Sequence, residues 1–180
     1  METFISPRPL VSNPDYSFQK ERALACVSKG MIDVPIRGVI QALNALPFCF
    51  TLQCCYGHFL YDGQGDAESL DPLPVAHTPD SVVYRIAYIA FCVDTCEAGK
   101  RLLNILKSLV SIEPNYIQFG SAGWFWGQQV NSYVLQVEPE RFKGLDRAVL
   151  EYSEALKVET IKRLFFKELE LNLHKAANGS

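Results

Sequence analysis

Apolar residues recur every third or fourth position through Ile36, Val39, Ile40, Leu43 and Leu46, and again through Leu102, Ile105, Leu106 and Leu109. That period lays one face of an α-helix against a core, so both stretches read as amphipathic helices. A third run, Phe142, Leu145, Val149, Tyr152, Leu156, Ile161, Leu164, Phe165 and Leu169, predicts a final helical region opened by Pro139, with a break near Val158. Between the helices the pattern turns extended. Phe48 to Gln53 and Gly57 to Tyr61 read as two strands meeting at Cys54-Cys55-Tyr56. Tyr84 to Val93, Tyr116 to Phe119 and Val130 to Val137 read as strands by their β-branched and aromatic content. The last two flank Gly120-Ser121-Ala122-Gly123-Trp124-Phe125-Trp126-Gly127.

Punctuating residues set the boundaries. Asn13-Pro14 begins a helix that runs to about Ser28 and stops at Gly30, where a residue with free φ belongs. Asp33 is expected to cap the second helix, its side chain accepting from unpaired amides, with Pro35 tolerated in the first turn. Asp94 with Glu97 three positions on resembles a capping box for the helix through Leu102. Residues 62–81 carry Gly63, Gly65, Asp66, Pro72, Pro74 and Pro79 and form a long loop, a feature often tied to function. Residues 1–13 read as an arm, 14–175 as one domain, and 176–180 as a frayed tail, with no internal repeat. Strands and helices interleave without a regular βα alternation. The expected fold is therefore α+β: a mixed or antiparallel sheet with helices at both chain ends, not a Rossmann-type parallel sheet.

Composition narrows the class. With 180 residues, 48% of them apolar and 21% charged, the chain has material for one sizeable core. No apolar run approaches the ~20 residues needed to span a bilayer. Met1 to Pro7 lack a basic segment followed by an apolar one, so the expected location is the cytoplasm, with no membrane partner. Of the six cysteines, Cys26, Cys49, Cys92 and Cys96 fall in apolar or helical segments and are expected to be buried, unpaired thiols. A net charge of −3 disfavours nucleic acid as a partner, since neutralising phosphates supplies much of that affinity. A local basic patch of Lys20, Arg22, Lys29 and Arg37 remains, and a small-molecule ligand is the expected partner.

The polar chemistry concentrates in Thr51-Leu52-Gln53-Cys54-Cys55-Tyr56-Gly57-His58. Gly57 permits positive φ or close backbone approach, and amides exposed at such a turn can face a carboxylate or phosphate. Cys55 and His58 can supply a thiolate and an imidazole. The alternative is a tight turn with two small thiols and a surface histidine. Cys55 and His58 with Cys54 or His77 can also ligate zinc or iron, although neighbours on an extended chain point apart and no second paired motif supports it. Trp124 and Trp126 share one face if extended, and either stack a purine or join the core.

Ser28-Lys29-Gly30, then Asp33, an amphipathic helix ending in Asn44, and an aromatic-Thr strand running into a Cys-x-Gly turn resemble the wybutosine-synthesising protein 3 family. The resemblance implies an S-adenosylmethionine-dependent methyltransferase acting on a tricyclic guanosine derivative of phenylalanine tRNA, on a compact α+β fold. Ser28, Lys29, Gly30 and Asp33 match the family's first motif; Thr51, Cys55 and Gly57 match its second, Thr-Thr-Ser-Ser-Cys-Ser-Gly-Arg. Leu52, Gln53 and Cys54 replace Thr, Ser and Ser; Tyr56 replaces Ser; His58 replaces Arg and so removes a bidentate cation. By this resemblance Ser28, Lys29, Asp33, Thr51, Cys55 and Gly57 bind the cofactor, and tRNA is a partner. His58 is the expected base, a role to which histidine as a residue type is well suited, and Asp33 is the second expected catalytic residue. Two other readings stand: a non-catalytic metabolite-binding module, and a metal- or redox-responsive domain using Cys54, Cys55 and His58.

Overall fold

A computed structural model describes residues 4–27, 32–64, 66, 68–75 and 78–178. In chain order these form β1 (Phe4–Ile5), α1 (Tyr16–Cys26), α2 (Arg37–Ala45), β2 (Cys49–Cys55), β3 (His58–Leu60), β4 (Ser81–Arg85), β5 (Ala87–Val93), α3 (Glu97–Ser108), β6 (Ile117–Ala122), α4 (Gly123–Gln128), β7 (Ser132–Val137), β8 (Arg147–Glu151) and α5 (Tyr152–Asn178). Turns of 3-10 helix lie at Val34–Ile36, Leu109–Ile112 and Glu140–Phe142. The strands make two antiparallel sheets, one ordered β1-β6-β7-β5-β2 and one ordered β3-β4-β8. The fold is α+β, as the sequence pattern implies.

Strand alternation sends side chains to two different places. From β5, Ile89, Phe91 and Val93 join the main core, and from β7 Tyr133, Leu135 and Val137 do the same. The 3-10 turn ahead of α2 and helices α2, α3 and α5 cover that face with Ile36, Ile40, Leu43, Leu102, Leu106 and Phe165, each at most 2% exposed. Full burial of such a side chain contributes ~1.5–3 kcal/mol. The intervening residues point the other way. Ala90 and Val134 meet Ala122 and Phe125 in a second, smaller cluster flanked by Tyr88 and Leu52, while Phe50 and Cys92 meet Tyr16 of α1. The small sheet closes onto the main core through Phe59, Val82, Tyr84, Ala148 and Leu150.

Several expectations are corrected. The final helical region begins at Tyr152, not Pro139, because residues 147–151 alternate exposed and buried and pair with β4. No break occurs near Val158; α5 is continuous over 27 residues. The long strand from Tyr84 divides at Ile86 into β4 and β5, which belong to different sheets. Cys96, not Asp94, is the N-cap of α3, its sulfur accepting from the Gly99 amide at 3.4 Å. Asp33 makes no side-chain cap bond to the turn it precedes, since its carboxylate is engaged elsewhere. Cys49 and Cys92 are buried, whereas Cys26 and Cys96 are exposed, each lying at a helix terminus. The segment read as an arm is strapped down: β1 pairs with β6, and Asn131 exchanges hydrogen bonds with both backbone groups of Val11 at 2.9 and 2.8 Å.

Candidate functional site

Strand register decides which residues of the thiol-rich segment meet. A bulge between Thr51 and Gln53 resets the pairing of β2 with β5, so that Cys54 lies opposite Ile89 and Cys55 opposite Tyr88. Ile89 faces the main core and Tyr88 the other side. The adjacent thiols therefore point apart; Cys54 packs against the edge of the main core, yet both thiols border the same cavity. Ahead of the bulge, Thr51 is buried against α2, where the Asn44 carbonyl oxygen accepts from its amide at 2.7 Å and its hydroxyl at 3.1 Å.

Beyond Cys55 the chain turns at Gly57, whose φ is +87°. A Cβ there would lie 2.8 Å from the Ala87 Cβ and 3.0 Å from the Ala87 amide nitrogen, so both conformation and space require glycine. The Gly57 amide donates to Cys55 Sγ at 3.3 Å. The Tyr56 amide donates to Asp33 Oδ2 at 2.7 Å, tying the loop ahead of α2 to the turn. His58 opens β3, is 3% exposed, and puts Nε2 3.6 Å from Asp33 Oδ2. Its Nδ1 lies 3.3 Å from the Ser69 carbonyl oxygen. A carbonyl only accepts, so this contact places a proton on Nδ1 and turns Nε2 toward the carboxylate, as a lone pair in the neutral ring and as a donor in the imidazolium.

Asp33, Cys55 and His58 line one wall of a cavity of about 690 Å³. Tyr88, Val134 and Ala122 form part of its lining from the open face of the large sheet; Trp124 and Phe125 come from α4, and Arg85, Asp146 and Arg147 from the small sheet and the loop ahead of it. Arg85 is paired with Glu68 of the long loop. Trp124 is 55% exposed and Phe125 is buried, so the aromatic triplet splits because it forms a short helix rather than a strand. Trp126 turns toward Tyr133 and the Arg8 guanidinium.

The electrostatics follow from burial. Desolvation pushes the Cys55 thiol up, opposed by the Gly57 amide, and pushes Cys54 up to about 11. Lys162 of α5 is 4% exposed; it donates to the Gly57 carbonyl at 3.0 Å and sits 4.2 and 4.8 Å from the ring centres of Tyr56 and Phe59. Burial lowers its ammonium to about 8. Glu138, fully buried behind the cavity-lining Gln136 whose amide it accepts, is raised by burial to about 8.

Of the site residues expected from sequence, Asp33, Cys55, Gly57 and His58 come together. Thr51 turns to Asn44 and is not among the lining residues. Ser28 and Lys29, with Gly30 and His77, lie outside the described residues. In the basic patch, Lys20 is spent on the backbone, its Nζ donating to the Cys49 carbonyl at 2.7 Å. Lys162 was missed, yet its signal was present: it continues the stripe Val158, Ile161, Phe165 and Leu169, and a lysine on a buried helical face needs a partner. Arg85, Tyr88 and Trp124 reach the cavity through sheet register that no local pattern announces.

Among the described residues, no helix is long and apolar enough to cross a membrane. No family model matches the chain, and no curated protein matches it. Among solved structures it is similar to the PH1069 protein from Pyrococcus horikoshii at 17% identity. Two structures of that protein cover 92% and 93% of this chain and 95% of that one, with TM-scores of 0.47 and 0.49. A hypothetical protein from Aeropyrum pernix is 12% identical over 80% of this chain and 96% of that one, with a TM-score of 0.41.

Proposed function

We propose that this protein binds S-adenosylmethionine in the cavity beside Asp33, Cys55 and His58 and transfers its methyl group to a nitrogen of a small heteroaromatic or nucleoside substrate. It would be a divergent relative of the wybutosine-synthesising protein 3 methyltransferases. One observation carries this reading: two segments far apart in sequence, the loop at Asp33 and the turn at Cys55 to His58, share one wall of a cavity of about 690 Å³. That volume falls within the ~300–1,000 Å³ usual for small-molecule sites, and the lining is mostly polar, as a charged donor of this kind requires.

The lining fits the donor's chemistry part by part. Trp124 and Phe125 offer faces and edges for a purine, Arg85 and Arg147 suit a carboxylate, and Asp33 suits an ammonium or ribose hydroxyl. When bound, S-adenosylmethionine supplies a methyl on a positively charged sulfur. The chain's own contribution is alignment of acceptor and donor and removal of one proton. His58 Nε2 carries the free lone pair and accepts that proton, and Asp33 stabilises the imidazolium that results. Lys162 fixes the turn through the Gly57 carbonyl.

A binding module without methyl transfer is the second reading. The diversion of Thr51 onto Asn44 and its absence from the cavity lining favour it, because that position belongs to the motif that implies catalysis.

The readings separate in two measurements. A ligand at about a hundred times its Kd stabilises the folded state by ~2.7 kcal/mol. For a chain of this length that raises Tm by roughly 5–10 °C. We expect that shift with S-adenosylmethionine and with S-adenosylhomocysteine, and no shift at millimolar concentration would end the proposal. Binding without turnover on a panel of nucleosides and bulk tRNA would favour the module.

A further inference from the structure

We propose that Asp33, Cys55 and His58 form a three-ligand site for one divalent transition-metal ion, zinc being the type case, with the remaining coordination position open to the cavity. This inference goes beyond the methyl-transfer reading and does not rest on it.

The ligand atoms, a carboxylate oxygen, a thiol sulfur and an imidazole nitrogen, all lie within 4.8 Å of one another. Among the described residues theirs is the group of three that could hold an ion. The outer contacts are those of an oriented metal site. His58 Nδ1 is committed to the Ser69 carbonyl oxygen at 3.3 Å, which fixes the tautomer and aims the bare Nε2 inward. Nε2 then faces Asp33 Oδ2 at 3.6 Å. With the ring neutral both atoms are acceptors, so at a histidine only 3% exposed the contact calls for a cation between them, which a proton or a metal ion can supply. The Tyr56 amide holds Asp33 Oδ2 at 2.7 Å, and among the described residues no hydrogen bond reaches the other carboxylate oxygen. The Gly57 amide points at Cys55 Sγ from 3.3 Å, an arrangement suited to a thiolate.

The donor set names the metal class. One sulfur and one imidazole with one carboxylate suit zinc, cobalt or ferrous iron, whereas magnesium and calcium select oxygen ligands. Binding replaces the Cys55 S–H bond by a metal–sulfur bond and releases that proton to solvent. All three ligands line the cavity, so the fourth position faces a ligand or water, the pattern of a catalytic rather than a structural site. Cys54 also borders the cavity, but it lies outside the group of ligand atoms within 4.8 Å of one another and is not among the ligands. Metal and substrate proton compete for the same Nε2 lone pair, so a loaded site removes His58 from the role of base.

The test is cobalt titration of the full chain in metal-free buffer. We expect one equivalent bound, a thiolate-to-cobalt charge-transfer band in the near ultraviolet, and visible bands of tetrahedral intensity, all displaced by zinc. C55S should lose the charge-transfer band while C54S and C26S keep it. D33N and H58Q should each raise the cobalt Kd at least ~10-fold. Circular dichroism on each variant separates lost ligation from lost folding, and the unmutated protein alone can refute the idea. Absence of the band, its survival in C55S, or its loss in C54S would overturn the site. Titrating S-adenosylmethionine into the same protein with and without metal reads the methyl-donor proposal separately.

Discussion

Lys162 offers a sharp test of how the turn at Gly57 is held. Its ammonium is 4% exposed and drops from 10.5 to about 8 because burial penalises the charge. At ~1.4 kcal/mol per pH unit, that difference corresponds to roughly 3 kcal/mol of destabilisation while the group is charged. Below pH 8 both folded and unfolded chains carry the proton and the full penalty applies. Between about 8 and 10.5 the folded chain has released it while the unfolded chain has not, so stability rises with pH. Above 10.5 the penalty is gone. Replacing Lys162 by Met keeps the stem's packing on Tyr56 and Phe59, removes the charge, and leaves the Gly57 carbonyl without its donor, a loss of ~1–3 kcal/mol. The two effects nearly cancel at pH 7, so K162M should be close to neutral there. The informative quantity is the difference between the two proteins' unfolding free energies, from urea titrations between pH 7 and 10.5. It should shift by ~3 kcal/mol in favour of the unmutated protein as pH rises. A difference that stays flat within ~0.5 kcal/mol, or moves the other way, would refute the assignment of a buried cation at this turn.

Three further outcomes follow from the geometry. G57A should destabilise by ~2–4 kcal/mol in the same assay, since a Cβ meets Ala87 at 2.8 Å and φ is positive; a cost below ~1 kcal/mol would mean the turn can relax. N44A should cost ~1–3 kcal/mol by orphaning the amide and hydroxyl of Thr51 without changing ligand affinity, which calorimetry checks. W124A should leave stability within ~0.5 kcal/mol because the indole is largely exposed, yet weaken adenosyl-ligand binding by ~1–3 kcal/mol. Equal affinity in W124A would remove the indole from the ligand site.

Much of the fold was legible because its signals are local. The periods at Ile36 to Leu43 and at Leu102 to Leu109 mark helices, and the alternation in β5 and β7 marks strands with two covered faces. The convergence of Asp33 with Cys55 and His58 was approachable through two motifs, each visible in a short window. What escaped was non-local. Residues 147–151 extend a helical-looking period, and only pairing with β4 makes them a strand. Asp33 has the residue type and position of a helix cap, but the Tyr56 amide competes for its carboxylate and wins. The bulge after Thr51, which sets the register placing Cys54 opposite Ile89 and Cys55 opposite Tyr88, has no signature in composition. Lys162 was overlooked because α5 carries many other charges, such as the exposed Lys157, Arg163 and Lys167, among which one buried lysine does not stand out.

The central claim is that the loop at Asp33 and the turn at Cys55 to His58 form one wall of a methyl-donor pocket. Calorimetric titration of S-adenosylhomocysteine into the unmutated protein and into D33N, each checked for folding, addresses it directly. The account predicts stoichiometric binding to the first and at least ~10-fold weaker binding to the second, about 1.4 kcal/mol. Heat indistinguishable from dilution in the unmutated protein, or equal affinity in both, would contradict it.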